Sequence, residues 1–424
     1  MKKNDAKPMR MAVIGAGSRG RAYSKYSEIT DKKLEIVAVA DIDREKLQIF
    51  SEIYNIPKEL QFCSGEELLK AKLDVDTILI ATPDRTHVKF AIDFSDAGYN
   101  IILEKPIGID LDEVNTISNI VRTHKEQLFG ICHVLLYTPL TKKIKTILDS
   151  GSVGEIVSIQ HLEPIGYWHY VHSYVRGNWR REDTSSPLLL AKSCHDIDWI
   201  MHIMQEDVEN VSSFGSLNYF HERSKPEKAS DRCINCPLEE TCSFSAKKFY
   251  MNLLKNGDFK WPLDVVINEF TEEALDYALR VGPYGRCVYS CDNTVVDNQV
   301  VNIQFKNRKT ANFSVIAFSD VAFRQTRIFC TNGMIETDGK EIKVFSFQNN
   351  SWETITVFSS GVTAAAGHGG GDFGFMEAYI SAWQRDDYHI INKRTLEGCL
   401  SHKVVFAAEE SRLSSSVITV SDFL

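Results

Sequence analysis

The chain has 424 residues, of which 43% are hydrophobic and 25% charged, so its composition is that of a globular protein long enough for two domains. Its formal net charge is -9 and it has no long basic run, which argues against nucleic-acid binding. No stretch approaches the ~20 apolar residues of a membrane span, and no signal-type apolar region follows the charged N-terminus. The ten cysteines are therefore expected to be reduced thiols or metal ligands, and the cytoplasm is the expected location.

The first third of the chain alternates short apolar runs with helical patterns. This alternation predicts an α/β domain over residues 1–134, with a doubly wound parallel sheet and right-handed crossovers. The predicted strands are Met11–Ile14, Leu34–Ala40, Thr77–Ala81, Asn100–Leu103 and Leu128–His133. The predicted helices between them are Asp43–Tyr54, Gly65–Ala71, His87–Gly98 and Leu111–His124.

The pattern changes near Leu135. A predicted helix, Tyr137–Ser150, leads into longer alternating strands separated by turn signals, which indicates a large, mainly antiparallel open sheet. The predicted strands are Ile156–Gln160, Val208–Phe220, Asn298–Phe305, Thr310–Phe318, Gln325–Cys330, Met334–Thr337 and Ile342–Phe347. Residues 135–424 are predicted to form an α+β domain for substrate binding and oligomerisation, with a cysteine-bearing insertion at about 222–293.

A glycine-rich loop follows the first predicted strand and opens a helical stretch. The order of strand, G-x-G-x-x-G and helix is the dinucleotide-binding fingerprint of a Rossmann domain. Asp41 ends the second predicted strand about twenty residues on, where a carboxylate can accept from ribose hydroxyls and would repel a 2′-phosphate. NAD is therefore favoured over NADP, although Arg44 is close. The predicted cofactor residues here are Gly15, Gly17, Ser18, Arg19, Gly20 and Asp41.

The tetrapeptide Leu103-Glu104-Lys105-Pro106 closes a later strand of the same predicted sheet. A lysine at that edge would lie in the crevice that takes the nicotinamide. A partly desolvated lysine can act as a general acid or base. The glycine loop and Lys105 together point to hydride chemistry on a hydroxyl or carbonyl.

With the segment Ala81-Thr82-Pro83-Asp84-Arg85-Thr86-His87 added, the chain resembles the Gfo/Idh/MocA family of glucose–fructose oxidoreductases and inositol dehydrogenases over its whole length. The resemblance implies that Thr82, Pro83 and His87 flank the nicotinamide ribose. It also implies that Glu104 and Lys105 border the reacting carbon, and that the Lys105–Pro106 bond can be cis. Members of this family are commonly dimers or tetramers, so a homo-oligomer is expected.

The family usually places an aspartate four residues before a helical histidine. His195 matches the histidine, but the aspartate position is Ala191. Lys192 follows it and could supply a polar or cationic group instead. The predicted catalytic residues are Lys105 and His195, with Lys192 binding substrate or tuning a pKa.

Three segments resemble a narrower, StrI-like branch of the family: one from Trp168 to Arg180, the helix around His195, and one from Gly367 to Asp372. Aromatic rings beside Asn, Arg and His suit a polyol, because rings stack on C–H faces while polar groups bind hydroxyls. The alternative interpretation is an Arg/Trp packing cluster at a domain or subunit seam. The predicted substrate residues are Trp168, His169, His172, Arg176, Asn178, Trp179, Arg180 and His368.

The insertion carries a Cys-x2-Cys pair, a third cysteine and a later pair, Cys287 and Cys291. This spacing suggests a structural zinc site, which would stabilise a segment with little core of its own. The predicted ligands are Cys233, Cys236, Cys242 and, of the later pair, Cys291. An iron–sulfur cluster and unliganded buried thiols are the alternatives.

The sequence thus predicts an NAD-dependent dehydrogenase that acts on a sugar, aminosugar or cyclitol. One alternative is a glycoside hydrolase or lyase that keeps NAD bound and passes through a transient keto-sugar. A second alternative is a non-catalytic NAD-sensing protein.

Overall fold

The computed structural model describes residues 7–30, 33–320, 323–357 and 368–423, which confirm the predicted combination of a Rossmann domain and an α+β domain. The first sheet has six parallel strands in the order β3-β2-β1-β4-β5-β6. Its strands are β1 Met9–Ile14, β2 Leu34–Ala40, β3 Gln61–Phe62, β4 Thr77–Ile80, β5 Asn100–Leu103 and β6 Phe129–Ile131. Its helices are α1 Ser18–Ser24, α2 Tyr26–Ile29, α3 Arg44–Ile53, α4 Gly65–Lys70, α5 His87–Asp96 and α6 Leu111–Thr123. The strand order reverses between β1 and β4, so the crevice at their carboxyl ends is the expected dinucleotide site.

The second sheet has nine strands in the order β14-β13-β12-β11-β7-β10-β9-β8-β15, and only β7 and β10 pair in parallel. Its strands are β7 Ile156–Pro164, β8 Val208–Ser216, β9 Asn298–Phe305, β10 Thr310–Ile316, β11 Gln325–Cys330, β12 Gly333–Thr337, β13 Glu341–Ser346, β14 Ser351–Thr356 and β15 Ile418–Thr419. The helices of this half are α7 Pro139–Asp149, α8 Tyr167–Tyr170, α9 Leu188–Met204, α10 Ala246–Lys255, α11 Glu272–Val281, α12 Gly371–Arg385 and α13 His389–Ser414. A π-helical turn, Val171–Arg176, extends α8.

Helix α12 returns to the parallel sheet and covers one of its faces. Phe375, Met376 and Tyr379 belong to the same buried cluster as the strand residues Val13 and Leu79. The contact is close: a Cβ on Gly130 of β6 would lie 2.7 Å from Tyr379 Cδ2. The boundary near Leu135 therefore separates two sheets, but it does not separate two independent cores.

Some strand ends differ from the sequence prediction. Strand β8 stops at Ser216 and not at Phe220, because the Asn218 and Tyr219 N–H groups turn away to donate to Asp297 Oδ2 at 2.9 and 2.8 Å. The short strands β3, β14 and β15 were not predicted; β14 is mostly exposed, so it lacks the apolar alternation that predicts a strand. Across the described residues, no helix has the length and apolarity to cross a membrane.

Candidate active site

The glycine loop forms the turn between β1 and α1, and its three glycines have different surroundings. Gly15 has φ +99°, and a Cβ there would lie 2.4 Å from the Ala81 carbonyl oxygen. A Cβ on Gly20 would lie 2.0 Å from the Gly15 carbonyl oxygen, so this glycine lets α1 pack on the loop. A Cβ on Gly17 would meet nothing within 4 Å, and no side chain caps α1 at that residue. The space at Gly17 and the uncapped amides of α1 fit a pyrophosphate.

Asp41 lies at the carboxyl end of β2, beside this loop. Its Oδ2 accepts a hydrogen bond from the Ala16 N–H at 2.7 Å, and its Oδ1 accepts from the Asp43 N–H at 2.8 Å. These bonds fix the carboxylate in place, and each oxygen keeps a second lone pair for a ribose hydroxyl. Ser18 begins α1 and is exposed.

Arg19, which precedes the last glycine of the loop, forms ion pairs with residues of both halves of the molecule. Its Nε lies 2.5 Å from Glu104 Oε1, and its Nη2 lies 2.8 Å from Asp372 Oδ1 at the start of α12. Tyr23 Oη also donates to Glu104 Oε1, at 2.9 Å. Burial raises the pKa of Glu104, but the charge of Arg19 lowers it, and the pKa lies below its ordinary value. Glu104 and Arg19 are therefore engaged with each other, and they position the loop and the strand end beside the cofactor crevice.

His87 connects the two loops at the carboxyl ends of β4 and β5. Its Nδ1 lies 2.7 Å from the Pro106 carbonyl oxygen, and its Nε2 lies 2.8 Å from the Thr82 carbonyl oxygen. The ring is buried, and the Lys105–Pro106 bond is cis. His87 thus holds the segments of Thr82-Pro83 and Lys105 next to each other, a positioning contact that the motif alone does not specify.

Lys105 reaches from β5 to the first turn of α9. Its Nζ donates to the Ala191 carbonyl oxygen, one helical turn before His195 on the same face. The structure therefore brings together the lysine and the histidine that the sequence paired. The methyl group of Ala191, where the family pattern has an aspartate, cannot accept this hydrogen bond, and the backbone carbonyl oxygen accepts it instead.

Lys192 belongs to a buried ion-pair network with a residue that sequence reasoning missed, Glu163 at the end of β7. Lys192 Nζ lies 3.0 Å from Glu163 Oε1, and Arg324 Nε lies 3.1 Å from Glu163 Oε2. Arg324 also pairs with Asp196, and both carboxylate side chains are at most 1% exposed. Two buried carboxylates are thus matched by two cations, as burial of charge requires. No motif marks Glu163, and the strand predicted from the sequence ends at Gln160, three residues before it, whereas β7 continues to Pro164.

The same network fixes the hydrogen-bonding state of His195. Arg324 Nη2 donates to His195 Nε2 at 2.8 Å, and since a guanidinium only donates, the proton of the neutral ring must be on Nδ1. Burial lowers the pKa of His195 well below its ordinary value, and the Arg324 and Lys105 charges lower it further against the opposing effect of Asp196. His195 Nδ1 is buried and has no hydrogen-bond partner within the described residues. The Nδ1–H of His195 is thus an unpaired donor on the helix whose Ala191 carbonyl, one turn earlier, accepts from Lys105.

His368 and His169 flank this pair of residues. The His368 ring lies edge-on to the His195 ring at 5.8 Å, and its Nδ1 lies 3.2 Å from Asp372 Oδ1. Burial lowers the pKa of His169 well below its ordinary value, and the charge of Lys192 lowers it further. Gly367, the first residue of the Gly367–Asp372 segment singled out in the sequence, lies outside the described residues.

An aromatic wall from the insertion stands behind His169. Trp261 packs edge-on to His169 at 4.8 Å, and Trp168 stacks on Phe249 at 5.5 Å. The wall joins the predicted substrate segment to the insertion. It fits both of the interpretations drawn from the sequence, an aromatic surface for a polyol and a packed seam.

The second part of that segment makes internal contacts. His172 Nδ1 is 2.7 Å from Tyr250 Oη, and its ring stacks on Tyr284 at 4.7 Å. The Arg176 guanidinium donates to the backbone carbonyls of the insertion. Both residues are buried, and insertion atoms contact their polar groups, so their predicted role in substrate binding stays a prediction that these contacts do not support.

The last three residues of the segment lie at or near its outer edge. Asn178 is exposed. Trp179 Nε1 lies 3.5 Å from Asp84 Oδ1, and Arg180 makes a two-point ion pair with Asp292 at 2.8 and 3.1 Å. Their role in substrate binding stays a prediction, because none of these contacts reaches Lys105 or His195.

The zinc site predicted from Cys233, Cys236, Cys242 and Cys291 does not form. Zinc holds sulfur at about 2.3 Å, so its ligands lie within about 4.6 Å of one another. Among the residues that the structure describes, the ligand atoms of only one group of three or more lie within 4.8 Å, and that group is His133, Cys194 and His402. His402 already accepts from the Ile107 N–H at 3.0 Å and bonds the Gly398 carbonyl at 2.9 Å, so it has no free ring nitrogen for a metal.

Two sequence models of an oxidoreductase family match the chain. One, described as "NAD-binding Rossmann fold", matches residues 9–131, and the other, described as "C-terminal alpha/beta domain", matches residues 145–350. The first match contains all six strands of the parallel sheet and Lys105, and the second contains strands β7 to β13 of the second sheet with Lys192 and His195.

Curated relatives are distant. The Bacillus subtilis protein YteT is 24% identical over 247 residues, which are 55% of this chain and 57% of YteT. The myo-inositol 2-dehydrogenase of Thermotoga maritima is 25% identical over 218 residues, which are 49% of this chain and 59% of that enzyme. The chain therefore spans less than two thirds of the length of these relatives.

Solved structures share the whole fold. A levoglucosan dehydrogenase in complex with NADH superposes with a TM-score of 0.69 at 16% identity, over 98% of this chain and 99% of that one. The scyllo-inositol dehydrogenase of Lactobacillus casei with NAD(H) and scyllo-inositol gives 0.65 at 16% identity, over 98% and 100% of the two chains. At these identities the likeness establishes the arrangement of the two sheets.

Proposed function

The chain belongs to the Gfo/Idh/MocA oxidoreductase family, and from that membership we propose that it transfers hydride between NAD and a hydroxyl or ketone of a sugar, aminosugar or cyclitol. The observation that carries the proposal is the meeting of Lys105 Nζ with the turn of α9 that presents the unpaired Nδ1–H of His195. NAD is favoured as cofactor by the open space at Gly17 and by the Asp41 carboxylate at the end of β2.

Lys105 and His195 have different roles: Lys105 transfers the proton, and His195 donates a hydrogen bond. In the oxidation direction, Lys105 in its neutral form takes the proton of the substrate hydroxyl, while the carbinol carbon loses its hydrogen as hydride and becomes a ketone carbon. When bound, NAD⁺ supplies the hydride acceptor. His195 Nδ1–H donates a hydrogen bond to the substrate oxygen throughout, because its Nε2 is held by Arg324 and cannot take a proton.

The substrate class follows from the walls around this pair. Lys192, whose ammonium group Glu163 holds in place, provides a donor for a neighbouring hydroxyl, and His368 and His169 offer further polar edges. Trp168 and Trp261 provide apolar ring faces for C–H groups. The myo-inositol and scyllo-inositol dehydrogenases among the relatives and structural neighbours support a polyol of this kind. A homo-oligomer is part of the same proposal, since the nine-stranded sheet buries alternate residues only and leaves one face for a partner.

The test is a panel of sugars, aminosugars and cyclitols with NAD⁺, followed by absorbance of NADH. Lys105→Met should lower kcat by about a hundredfold or more while NADH still binds, because only proton transfer is lost. Lys89→Met is the matched control, since Lys89 pairs with Glu66 on an exposed surface. Absence of turnover in both directions with cofactor bound would refute the proposal. Cleavage of an aryl glycoside without net NADH would replace it with the redox-neutral alternative.

A further inference from the structure

The insertion gathers four of its five cysteines around one cavity. This cavity has a volume of about 260 Å³, and its cysteine lining is Cys233, Cys236, Cys242 and Cys287. All of these thiols are free. The fifth cysteine, Cys291, does not line the cavity; its thiol donates to the Cys287 carbonyl oxygen at 3.2 Å. The fold therefore selects Cys287 over Cys291, which the spacing alone could not do.

Two separate backbone segments present these thiols to the cavity. The Cys233–Asn235 turn is closed by the Cys236 N–H, which donates to the Cys233 carbonyl at 3.2 Å. The Cys287 N–H donates to the Asp231 carbonyl at 2.8 Å, which ties the later segment to the start of the Cys-x2-Cys turn. Hydrogen bonds of the main chain thus hold the two segments together, although Cys242 and Cys287 are 45 positions apart in the sequence.

A buried cation, Arg176, lies beside the cavity, and among the described residues no carboxylate forms an ion pair with it; Glu239, which also lines the cavity, lies 3.8 Å from Lys247 Nζ instead. Arg176 lines the cavity and is 3% exposed. Its hydrogen-bond partners within the described part of the chain are the Arg286 and Phe244 carbonyls, each at 2.8 Å, and Cys233 Sγ at 3.4 Å. An unpaired buried guanidinium is costly, so an anionic partner is expected next to it. Thiolates that ligate a metal cluster would provide that negative charge.

The spacing of the sulfurs indicates what the thiolates could hold. No three of these sulfur atoms all lie within 4.8 Å of one another in the described structure. They are therefore too far apart to ligate one zinc ion together. In a [4Fe–4S] cluster each cysteine ligates a different iron, so the four sulfurs stand farther apart around a polynuclear core. The cavity that these four cysteines line is where such a core would lie.

We propose that Cys233, Cys236, Cys242 and Cys287 ligate a [4Fe–4S] cluster, with Arg176 as its buried counter-charge. The cluster has a structural role: it braces an insertion whose own hydrophobic core contains only eight buried residues among those described. The braced insertion carries Trp261, which packs on His169, and Asp264, which pairs with Arg21 of α1 at 3.1 Å. The cluster would thereby stabilise the aromatic wall of the substrate site.

The experiment is purification of the full chain without oxygen, with iron, acid-labile sulfide and zinc measured together. About four irons and four sulfides per chain are expected, with the visible absorption of an iron–sulfur cluster. Cys287→Ser should lose most of the iron, whereas Cys291→Ser, the matched control, should keep it. NADH binding reports the fold of the Rossmann domain in each variant, so loss of iron can be separated from failure to fold.

Three outcomes would overturn the proposal. These are one zinc per chain without sulfide, five reactive insertion thiols without metal, or equal loss of iron in Cys287→Ser and Cys291→Ser. Arg176→Met gives a further check, because it should make the cluster easier to lose without removing a ligand. The result does not depend on dehydrogenase activity, so failure of the proposed hydride chemistry would leave the metal analysis unaffected.

Discussion

Lys192 Nζ lies 3.0 Å from Glu163 Oε1, and this pair places a carboxylate beside helix α9, which has Ala191 where the family pattern has an aspartate. The carboxylate comes from the end of a strand in the neighbouring sheet, and its charge is balanced locally by Lys192 and Arg324. The site therefore keeps an acidic group while changing the element that supplies it.

Glu163→Gln should weaken both stability and activity. The change preserves the shape of the side chain but removes its charge, so Lys192 and Arg324 lose a carboxylate partner that they share. The free energy of unfolding should therefore fall by about 3 kcal/mol. The specificity constant kcat/KM should fall by at least about tenfold, as Lys192 loses its fixed position. Urea unfolding and steady-state kinetics measure the two effects.

The double variant Glu163→Gln/Lys192→Met restores the charge balance and should recover part of the lost stability. Glu336→Gln is the matched control, because Glu336 pairs with Arg327 in an exposed position on the same sheet and should matter by less than about 1 kcal/mol. Equal effects of Glu163→Gln and Glu336→Gln would contradict the assigned network.

The two ring nitrogens of His195 should be distinguishable by amide substitutions. Asn places its amide nitrogen near the position of Nδ1, whereas Gln places it near that of Nε2. Because Nδ1–H is the unpaired donor, His195→Asn should retain more of kcat than His195→Gln, and His195→Ala should lose about a hundredfold or more. Steady-state kinetics at neutral pH would test the order, and a better His195→Gln would assign the substrate contact to Nε2.

Gly17 and Gly20 should respond differently to alanine. Gly20→Ala brings a Cβ to 2.0 Å from the Gly15 carbonyl oxygen, so the free energy of unfolding should fall by about 1–3 kcal/mol. Gly17→Ala meets no atom within 4 Å, so stability should be unchanged while the Kd for NADH rises by about tenfold or more. Thermal unfolding without cofactor and NADH titration separate the two cases; unchanged NADH affinity in Gly17→Ala would place the pyrophosphate elsewhere.

His133 gives the fold a dependence on alkaline pH. The Nδ1 atom of His133 lies 3.1 Å from Asp198 Oδ2. Burial lowers the pKa of His133, but the Asp198 charge raises it, to about 10. Because the pKa of His133 is higher in the folded than in the unfolded protein, protonation of His133 stabilises the fold. This stabilisation is complete below the unfolded-state pKa of about 6.5 and is lost as the pH rises to about 10. The free energy of unfolding should therefore fall more steeply from pH 7 to pH 10 in the wild type than in Asp198→Asn. Parallel slopes would remove the pair from the pH dependence.

Features with a local pattern were predictable from the sequence. The glycine loop, Asp41 and the cis Lys105–Pro106 turn each lie within a few residues of an apolar strand, so a periodic run and a motif locate them together. The bounds of strands β9 and β11 were predicted to the residue. In both strands buried positions alternate with more exposed ones, and the polarity of the side chains follows this alternation.

Contacts between distant segments could not be predicted in this way. Glu163, Arg324 and Asp372 reach the site from β7, from the residues before β11 and from α12, and no spacing relates them to Lys105 or Arg19. The choice between Cys287 and Cys291 likewise depends on a main-chain hydrogen bond to Asp231. Such relationships are set by how the sheets and helices pack, and a one-dimensional pattern does not record packing.

The return of α12 to the parallel sheet limits how the halves can be recombined. A chimera that joined residues 7–134 to the substrate domain of another protein would leave the sheet face at Val13 and Leu79 without its cover of Phe375 and Tyr379. It would also leave Arg19 without the carboxylate of Asp372. The nucleotide-binding half is thus not a transplantable module, and any graft would need to bring a matching C-terminal helix with it.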